Sequence, residues 1–575
     1  MSVPGAESSP TWIAVGRDAH GITAALLNDE GGETARIAVI DLASWVADAE
    51  AAHEPRWVWS DTPTWYDGLL AAGVRVARCH DLRLSHAILR DSLYVTDAAP
   101  LQAAGEWDAA APDAGDPAPT LFEFETASAP SLPQALDATL AEFARQREAL
   151  AGAAEPGRLR LLLAAESAGA LVAAELRAAG LPWDEAAHDG ILTDLLGPRP
   201  AAGGQPRELE RAAARVREAL GDPTAALDSQ PKLLRALHRV GVLASSTSKW
   251  ELAQYDHAAI APLLEYKRLA RLLSANGWAW LDEWVHDGRF RPVYVPGGVV
   301  TGRWASSGGG ALQLPRQLRD AVRADPGWVL VVADVAQLEP RVLAAMAGDT
   351  ALADAARGRD LYAGIVDRGA VATRSEAKFA MLGAMYGATT GDSGRLVPAL
   401  RRTFPRAMAL VDDAARTGEE GGIVATRLGR TSPPPSAVWR AAQGQAGDPE
   451  ATGVDETRAR RWARDRGRFT RNFVVQGTAA EWALAWLADL RGRLAALPAV
   501  PPHDAAPRSG PAFDRRAHLA FFLHDEVIVH APAAQADAAA HAVVEAAASA
   551  GRLLFGTFPI DFPLDVRIAQ SAQKA

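Results

Sequence analysis

The sequence has little cysteine, little lysine and no long apolar run. Its one cysteine, Cys79, rules out an internal disulfide and fits a reducing compartment, so a cytoplasmic location is expected. No stretch of about 18 consecutive apolar residues occurs, so no membrane span is expected. The opening residues, MSVPGAESSP, lack a charged segment followed by an apolar one and do not read as a signal peptide. Among 59 basic residues the lysines are only those at 232, 249, 267, 378 and 574, so a lysine at a motif position is less easily accidental than in an ordinary chain.

With 575 residues, 49% of them hydrophobic, the chain is too long for one core and implies roughly three or four structural units. The formal net charge of −11 taken alone argues against a polyanionic partner. Its distribution argues differently. Acidic residues crowd the stretch from Glu106 to Glu125, whereas Arg458, Arg460, Arg461, Arg464, Arg466, Arg468 and Arg471 form a basic block broken only by Asp465. Standing by itself, such a block reads first as a solvated helix face.

Residues 11–17 and 22–27 pattern as paired strands, with 35–41 a third and a short strand at 74–77. The segment 97–135 is rich in Ala, Pro, Asp and Gly and reads as a linker. Helical periodicity then dominates to 285, with one long helix from 159 to 179 stopped by Gly180-Leu-Pro and another over about 258–286. From 328 an apolar run ends at Asp334, as a buried strand does. Segments 431–456 and 498–516 read as surface insertions, and 518–531 reads as a hairpin with His524-Asp525-Glu526 at its turn.

Three features carry chemistry. Transfer of a nucleotidyl group to a hydroxyl needs two divalent cations about 4 Å apart, and hard cations take carboxylate oxygens. Asp334 at a strand end and Asp525 in a tight hairpin are an economical way to supply them, although either alone reads as an ordinary cap or turn residue. In the stretch 373–387, Arg374, Lys378, Leu382 and Tyr386 recur every four residues and share one helix face. Thr373 or Ser375 is placed to cap that helix. Two cations near a helix N-terminus suit a triphosphate, with Arg374 holding distal phosphates and Lys378 able to protonate the leaving pyrophosphate.

These segments resemble the motifs of the family A DNA polymerases, the bacterial DNA polymerase I family. Asp334-Val-Ala-Gln337-Leu-Glu339-Pro-Arg341 is similar to motif A, Arg374 to Gly387 to motif B, and His524-Asp525-Glu526 to motif C. Thr301-Gly302-Arg303 and Arg471-Asn472 through Gln476 to Ala480 agree as well, in order, over about 160–575. The resemblance implies an α+β multidomain fold: a palm, fingers and thumb hand behind an N-terminal RNase H-like, exonuclease-like α/β domain. The implied bounds are 1–155 for that domain, 156–295 for a helical thumb, 296–370 for the first part of the palm, 371–480 for the fingers and 481–575 for the rest of the palm. Two Mg2+ ions, with Mn2+ able to substitute, would sit on Asp334 and Asp525, with Glu526 an auxiliary carboxylate. Gln337, Glu339, Arg374, Lys378, Leu382, Tyr386 and His524 would line the nucleotide site, Glu339 rejecting a ribose 2′-hydroxyl. Arg303, Arg341, Asn472, Gln476, Arg471, Lys267 and Arg268 would contact DNA. Minor-groove acceptors common to every base pair suit such sequence-blind donors. Primer-template DNA and dNTPs are the implied partners, a monomer the implied state, and repair or gap filling the implied setting.

The sequence departs from the family pattern at Val335 and Ala336, which follow the motif A aspartate, at Pro340, at the short loop 308–315, and at Leu382, where an aromatic ring is usual. In the N-terminal region, Val15 and Arg17 stand where a proofreading exonuclease carries its first two carboxylates; Asp67 matches a later one, and no third motif is found. Proofreading is therefore expected to be lost, and no 5′-nuclease domain is expected. The competing readings are a non-catalytic DNA-binding protein that kept the hand, against which the intact Asp334, Arg374, Lys378 and Asp525 speak, and RNA synthesis, against which Glu339 speaks.

Overall fold

The computed structural model describes residues 10–108, 131–201, 204–308, 314–387 and 391–573. Most of the linker 97–135 and of the loop 308–315 lies outside the described residues. Contacts divide the chain into two compact units. The first comprises 1–180, 292–312 and 325–570; the second comprises 181–291, 313–324 and 571–575.

The first unit opens on a five-stranded sheet. Its strands are β1 (Trp12–Asp18), β2 (Gly21–Leu27), β3 (Glu33–Val39), β4 (Arg56–Trp59) and β5 (Arg78–Asp81), in the order β3-β2-β1-β4-β5. The first three are an antiparallel meander, and β4 and β5 run parallel to β1. The strand expected at 74–77 lies four residues later, where Cys79, His80 and Asp81 are buried. Helices α1 (Leu136–Ala151) and α2 (Pro156–Ala179) follow. α2 ends at Gly180, whose φ of +69° only glycine adopts cheaply. α2, within the bounds expected for the thumb, lies in the first unit. Leu171 and Ala174 join the apolar cluster formed by Ile13, Trp57 and Trp59 of the sheet.

The second unit is helical. Its core gathers Leu192, Leu209, Val216, Leu237, Leu263, Leu269 and Leu318. The helix expected over 258–286 is cut in two by Gly277: α3 (Ile260–Asn276) ends there, and a short helix runs from Trp278 to Trp284.

The remainder of the first unit carries the second sheet. After β6 (Val293–Val295) and β7 (Ala305–Gly308) come β8 (Trp328–Val335), α4 (Leu338–Ala347), α5 (Leu361–Asp367), α6 (Arg374–Tyr386), α7 (Pro405–Glu419) and α8 (Gly453–Ala495). Then follow β9 (His518–Leu523), β10 (Glu526–Pro532), α9 (Ala536–Phe555) and β11 (Leu564–Ala569). The sheet order is β9-β10-β8-β11, antiparallel throughout. β8 is central, which explains its unbroken run of buried Trp, Val, Leu and Ala. The buried half of α8 packs on α9, where the Trp486 indole donates to the Val543 carbonyl at 3.1 Å and Trp482 meets Phe562 just before β11. The 431–456 segment is not wholly irregular, since residues Ala437–Ala446 form a helix.

Candidate active site

Strand register brings the two aspartates together. Asp334, the next-to-last residue of β8, pairs with Glu526, the first of β10. The Val335 N–H donates to the carbonyl of Asp525 at 2.9 Å, so Asp525 sits in the turn directly beside Asp334. Burial, then the negative charge of Asp334, pushes the Asp525 carboxyl up to about 6. A carboxyl raised by burial and by a neighbouring carboxylate gains from a shared cation, so the donor set fits a hard divalent ion. Among the described residues no cluster of three or more His, Cys, Asp or Glu could hold a metal by itself. The pair therefore offers part of a coordination shell, as sites completed by substrate phosphates do.

Two non-glycine residues here have left-handed backbones: Gln337 with φ of +51°, and His524 with φ of +56°. Such residues cost on the order of 1–3 kcal/mol each and gather at functional sites. They are two of only four among the described residues. Gln337 precedes α4, and its side-chain oxygen accepts from Leu361 N–H at 3.3 Å while its nitrogen donates to Asp360 at 3.1 Å. Burial, then the charge of Arg303, holds His524 below its usual value.

A cavity of about 300 Å³ opens against this turn, lined by Arg303, Gln337, Glu339, Tyr362, Leu382, Tyr386, His524 and Asp525. Glu339 is its hub: it accepts hydrogen bonds from both Arg303 and the Tyr386 hydroxyl. Trp304, the neighbour of Arg303, is anchored by aromatic packing. The Tyr294 hydroxyl donates to the Phe522 carbonyl at 2.9 Å, and Trp304 packs edge-on against Phe522. Gly302 has φ of +83° and lies against the Arg430 guanidinium, leaving no room for a side chain.

α6 lines the cavity with Leu382 and Tyr386 and carries two cations, Arg374 and Lys378, toward its N-terminus. Thr373 caps it in a reciprocal box with Glu376, as one of the two expected caps. Lys378 is exposed, and its side chain makes no hydrogen bond or ion pair among the described residues. Arg374 is instead held: its guanidinium forks onto Asp360 at 2.7 and 3.2 Å and lies over the Tyr362 ring. Asp360 and Tyr362 were missed in the sequence, because an aspartate opening a helix reads simply as a cap. Asp360 is one, accepting from Ala363 N–H at 2.8 Å.

The model of DNA polymerase family A matches residues 208–573. The chain belongs to that family. It is 25% identical over 408 residues to the thermostable DNA polymerase I of Thermus filiformis, covering 63% of this chain and 43% of that protein. It is 30% identical over 344 residues to the DNA polymerase I of Chloroflexus aurantiacus, covering 55% and 32%. The match thus spans less than half the length of these relatives. Among solved structures, the POL domain of Pol1 from M. smegmatis, in complex with DNA primer-template and dNTP, superposes with a TM-score of 0.61. That likeness covers 98% of this chain and 95% of that one at 16% identity, and it shows the fold: a right-hand polymerase with an exonuclease-like α/β region.

Within this family A fold, several residues expected at DNA make bonds within the protein. Arg341 is fully buried and donates to the carbonyls of Ala336, Ala356 and Arg359 and to Asp561, so it ties these segments of the palm together. Arg471 donates to the Ala384 carbonyl and to Asp412, tying the end of α6 to α7. In the second unit, Lys267 donates to Thr247 and Arg268 pairs with Glu265. Asn472 and Gln476 differ: their side chains are half-buried and unpaired among the described residues. They lie one turn apart on the face of α8 that continues to Ala480 in the cavity wall.

In the exonuclease-like domain the buried carboxylates stand elsewhere: Asp61, just after β4, is pushed up to about 6 by burial and then by the charge of Asp81 at the end of β5. Val15 is buried, Arg17 lies over the Trp65 ring, and Asp67 faces Arg177 at 3.7 Å.

Proposed function

We propose that this chain is a template-directed DNA polymerase that extends a primer 3′ end with deoxynucleotides. The observation that carries this is the juxtaposition of Asp334 and Asp525 across β8 and β10, at the mouth of a cavity walled by α6 and Glu339. Asp334 and Asp525 would hold two Mg2+ ions, or Mn2+, with Glu526 adding negative charge behind them. Such ions would supply Lewis-acid activation of the primer hydroxyl and charge neutralisation for the leaving group. Arg374 exchanges Asp360 for the distal phosphates, keeping a fork geometry suited to either anion. Lys378, free of partners, delivers a proton to the departing pyrophosphate. Glu339, fixed by Arg303 and Tyr386, fills the space a ribose 2′-hydroxyl needs. Leu382 packs against the sugar, Gln337 and His524 shape the turn around the nucleotide, and Asn472, Gln476 and Arg303 donate to the minor groove.

Proofreading is absent in this reading, the setting is repair or gap filling, and the protein is a cytoplasmic monomer. No helix among the described residues is long and apolar enough to cross a membrane. Primer extension with Mg2+, comparing dNTPs with NTPs, tests the proposal. Wild type should extend with dNTPs only, and Asp334→Asn or Asp525→Asn should abolish extension while leaving primer-template binding largely intact, since affinity comes from many phosphate contacts. Extension by either variant within tenfold of wild type would refute the two-ion assignment. An inactive wild type that still binds primer-template would favour the non-catalytic DNA-binding alternative.

A further inference from the structure

Far along the chain from these motifs, the exonuclease-like domain has a larger cavity, about 490 Å³, lined by Thr11, Trp12, Arg56, Arg78, His80 and Phe143, and by Gln146, Arg147 and Arg160 from the helices. Its construction follows from strand register. Trp12, Arg56 and Arg78 are the first residues of β1, β4 and β5, and they are register partners, so two guanidiniums stand side by side. α1 contributes Arg147 and α2 contributes Arg160.

None of these four arginines is ion-paired to a carboxylate among the described residues, and none of the lining residues is acidic. Two acidic residues touch the rim, both through their backbone carbonyls: Glu54 accepts from Arg78 and Asp29 from Arg147, while the Asp29 carboxylate accepts from the Thr11 hydroxyl. In a chain of net charge −11, two guanidiniums opposite one another on adjacent strands with two more from the helices, none facing a carboxylate, make a locally basic cavity that favours an anion. The remaining wall is apolar, partly aliphatic from the helices and partly aromatic. Trp12, His80 and Phe143 pack with ring centroids 5.1 to 6.2 Å apart, and Arg56 and Arg147 lie over Trp12. His80 and Gln146 are buried and bonded to each other at 2.8 Å, so the floor is fixed before any ligand arrives.

We propose that this cavity is a second binding site, for a phosphorylated nucleoside: guanidiniums for the phosphates and an aromatic wall for the base. The same chemistry is presented by a free nucleoside triphosphate and by a nucleotide within single-stranded DNA. The test is calorimetric titration in EDTA of a protein carrying Arg374→Ala and Lys378→Ala, which silence the phosphate wall of α6. The probes are dATP and a 5′-phosphorylated trinucleotide. One site per chain should remain, and adding Arg78→Gln and Arg160→Gln should weaken it at least tenfold. Both arginines are exposed, so the fold should hold, and primer extension by Arg78→Gln/Arg160→Gln in the otherwise wild-type chain should be unchanged. Stronger binding of dATP identifies the free nucleotide as ligand; stronger binding of the trinucleotide identifies the strand. Absence of binding by both probes, or binding indifferent to Arg78 and Arg160, overturns the proposal.

Discussion

Replacing Glu481 with glutamine should flatten the dependence of stability on pH between about 4.5 and 7. Glu481 lies on the buried face of α8, 1% exposed. One carboxylate oxygen accepts from the Leu428 N–H at 2.9 Å, the other meets the Thr426 hydroxyl, and together they pin the loop that carries Arg430. Burial dominates these bonds and raises the carboxyl from 4.5 to about 7. The unfolded chain therefore releases this proton near pH 4.5, while the folded chain keeps it to about 7. The stabilisation is complete below 4.5 and lost as pH rises through 7. A gap of that size is worth about 3 kcal/mol. Glutamine has the same shape, keeps an acceptor for Leu428, gains a donor for Thr426 and has no proton to lose. Urea midpoints of wild type and Glu481→Gln, measured at pH 5 and pH 8, give the answer. The variant should gain on wild type by up to about 3 kcal/mol at pH 8 and little at pH 5. Equal differences at both pH values would refute an ionisable, protonated Glu481 in the fold.

Leu382→Tyr should raise the dideoxynucleotide-to-deoxynucleotide ratio of kcat/KM by tenfold or so, a packing change of about 1–3 kcal/mol; Leu382 lines the cavity, and an unchanged ratio in a stable variant would mean it does not meet the sugar. Asp360→Asn should lower KM for dNTP by up to about fivefold with kcat little altered, because the Arg374 pair is half-exposed and such pairs are worth at most about 1 kcal/mol. A rise in KM would show that Asp360 orients Arg374 rather than competing with phosphate. The protein should not shorten a 3′ end with Mg2+ or Mn2+; digestion that survives Asp334→Asn would show that the N-terminal sheet holds ions despite Val15 and Arg17.

What the sequence made legible was whatever repeats a local pattern. The apolar run before Asp334, the hairpin around Asp525 and the four-residue spacing on α6 each encode position within one element, and the structure places them as read. What stayed hidden depends on where a long side chain points after folding. Arg341 and Arg471 lie in motifs that suggest DNA contact, but a guanidinium can as well satisfy buried carbonyls, and both do. Asp360 was hidden for the opposite reason, since one local role, capping α5, sufficed to explain it. The arginine-lined cavity shows the limit most sharply. Trp12, Arg56, Arg78, Arg147 and Arg160 are spread over about a quarter of the chain with no common spacing, and only the parallel register of β1, β4 and β5 puts the first three side by side. A motif search finds chemistry that is contiguous in sequence; charge left unpaired by tertiary packing is found only by asking, residue by residue, what neutralises it.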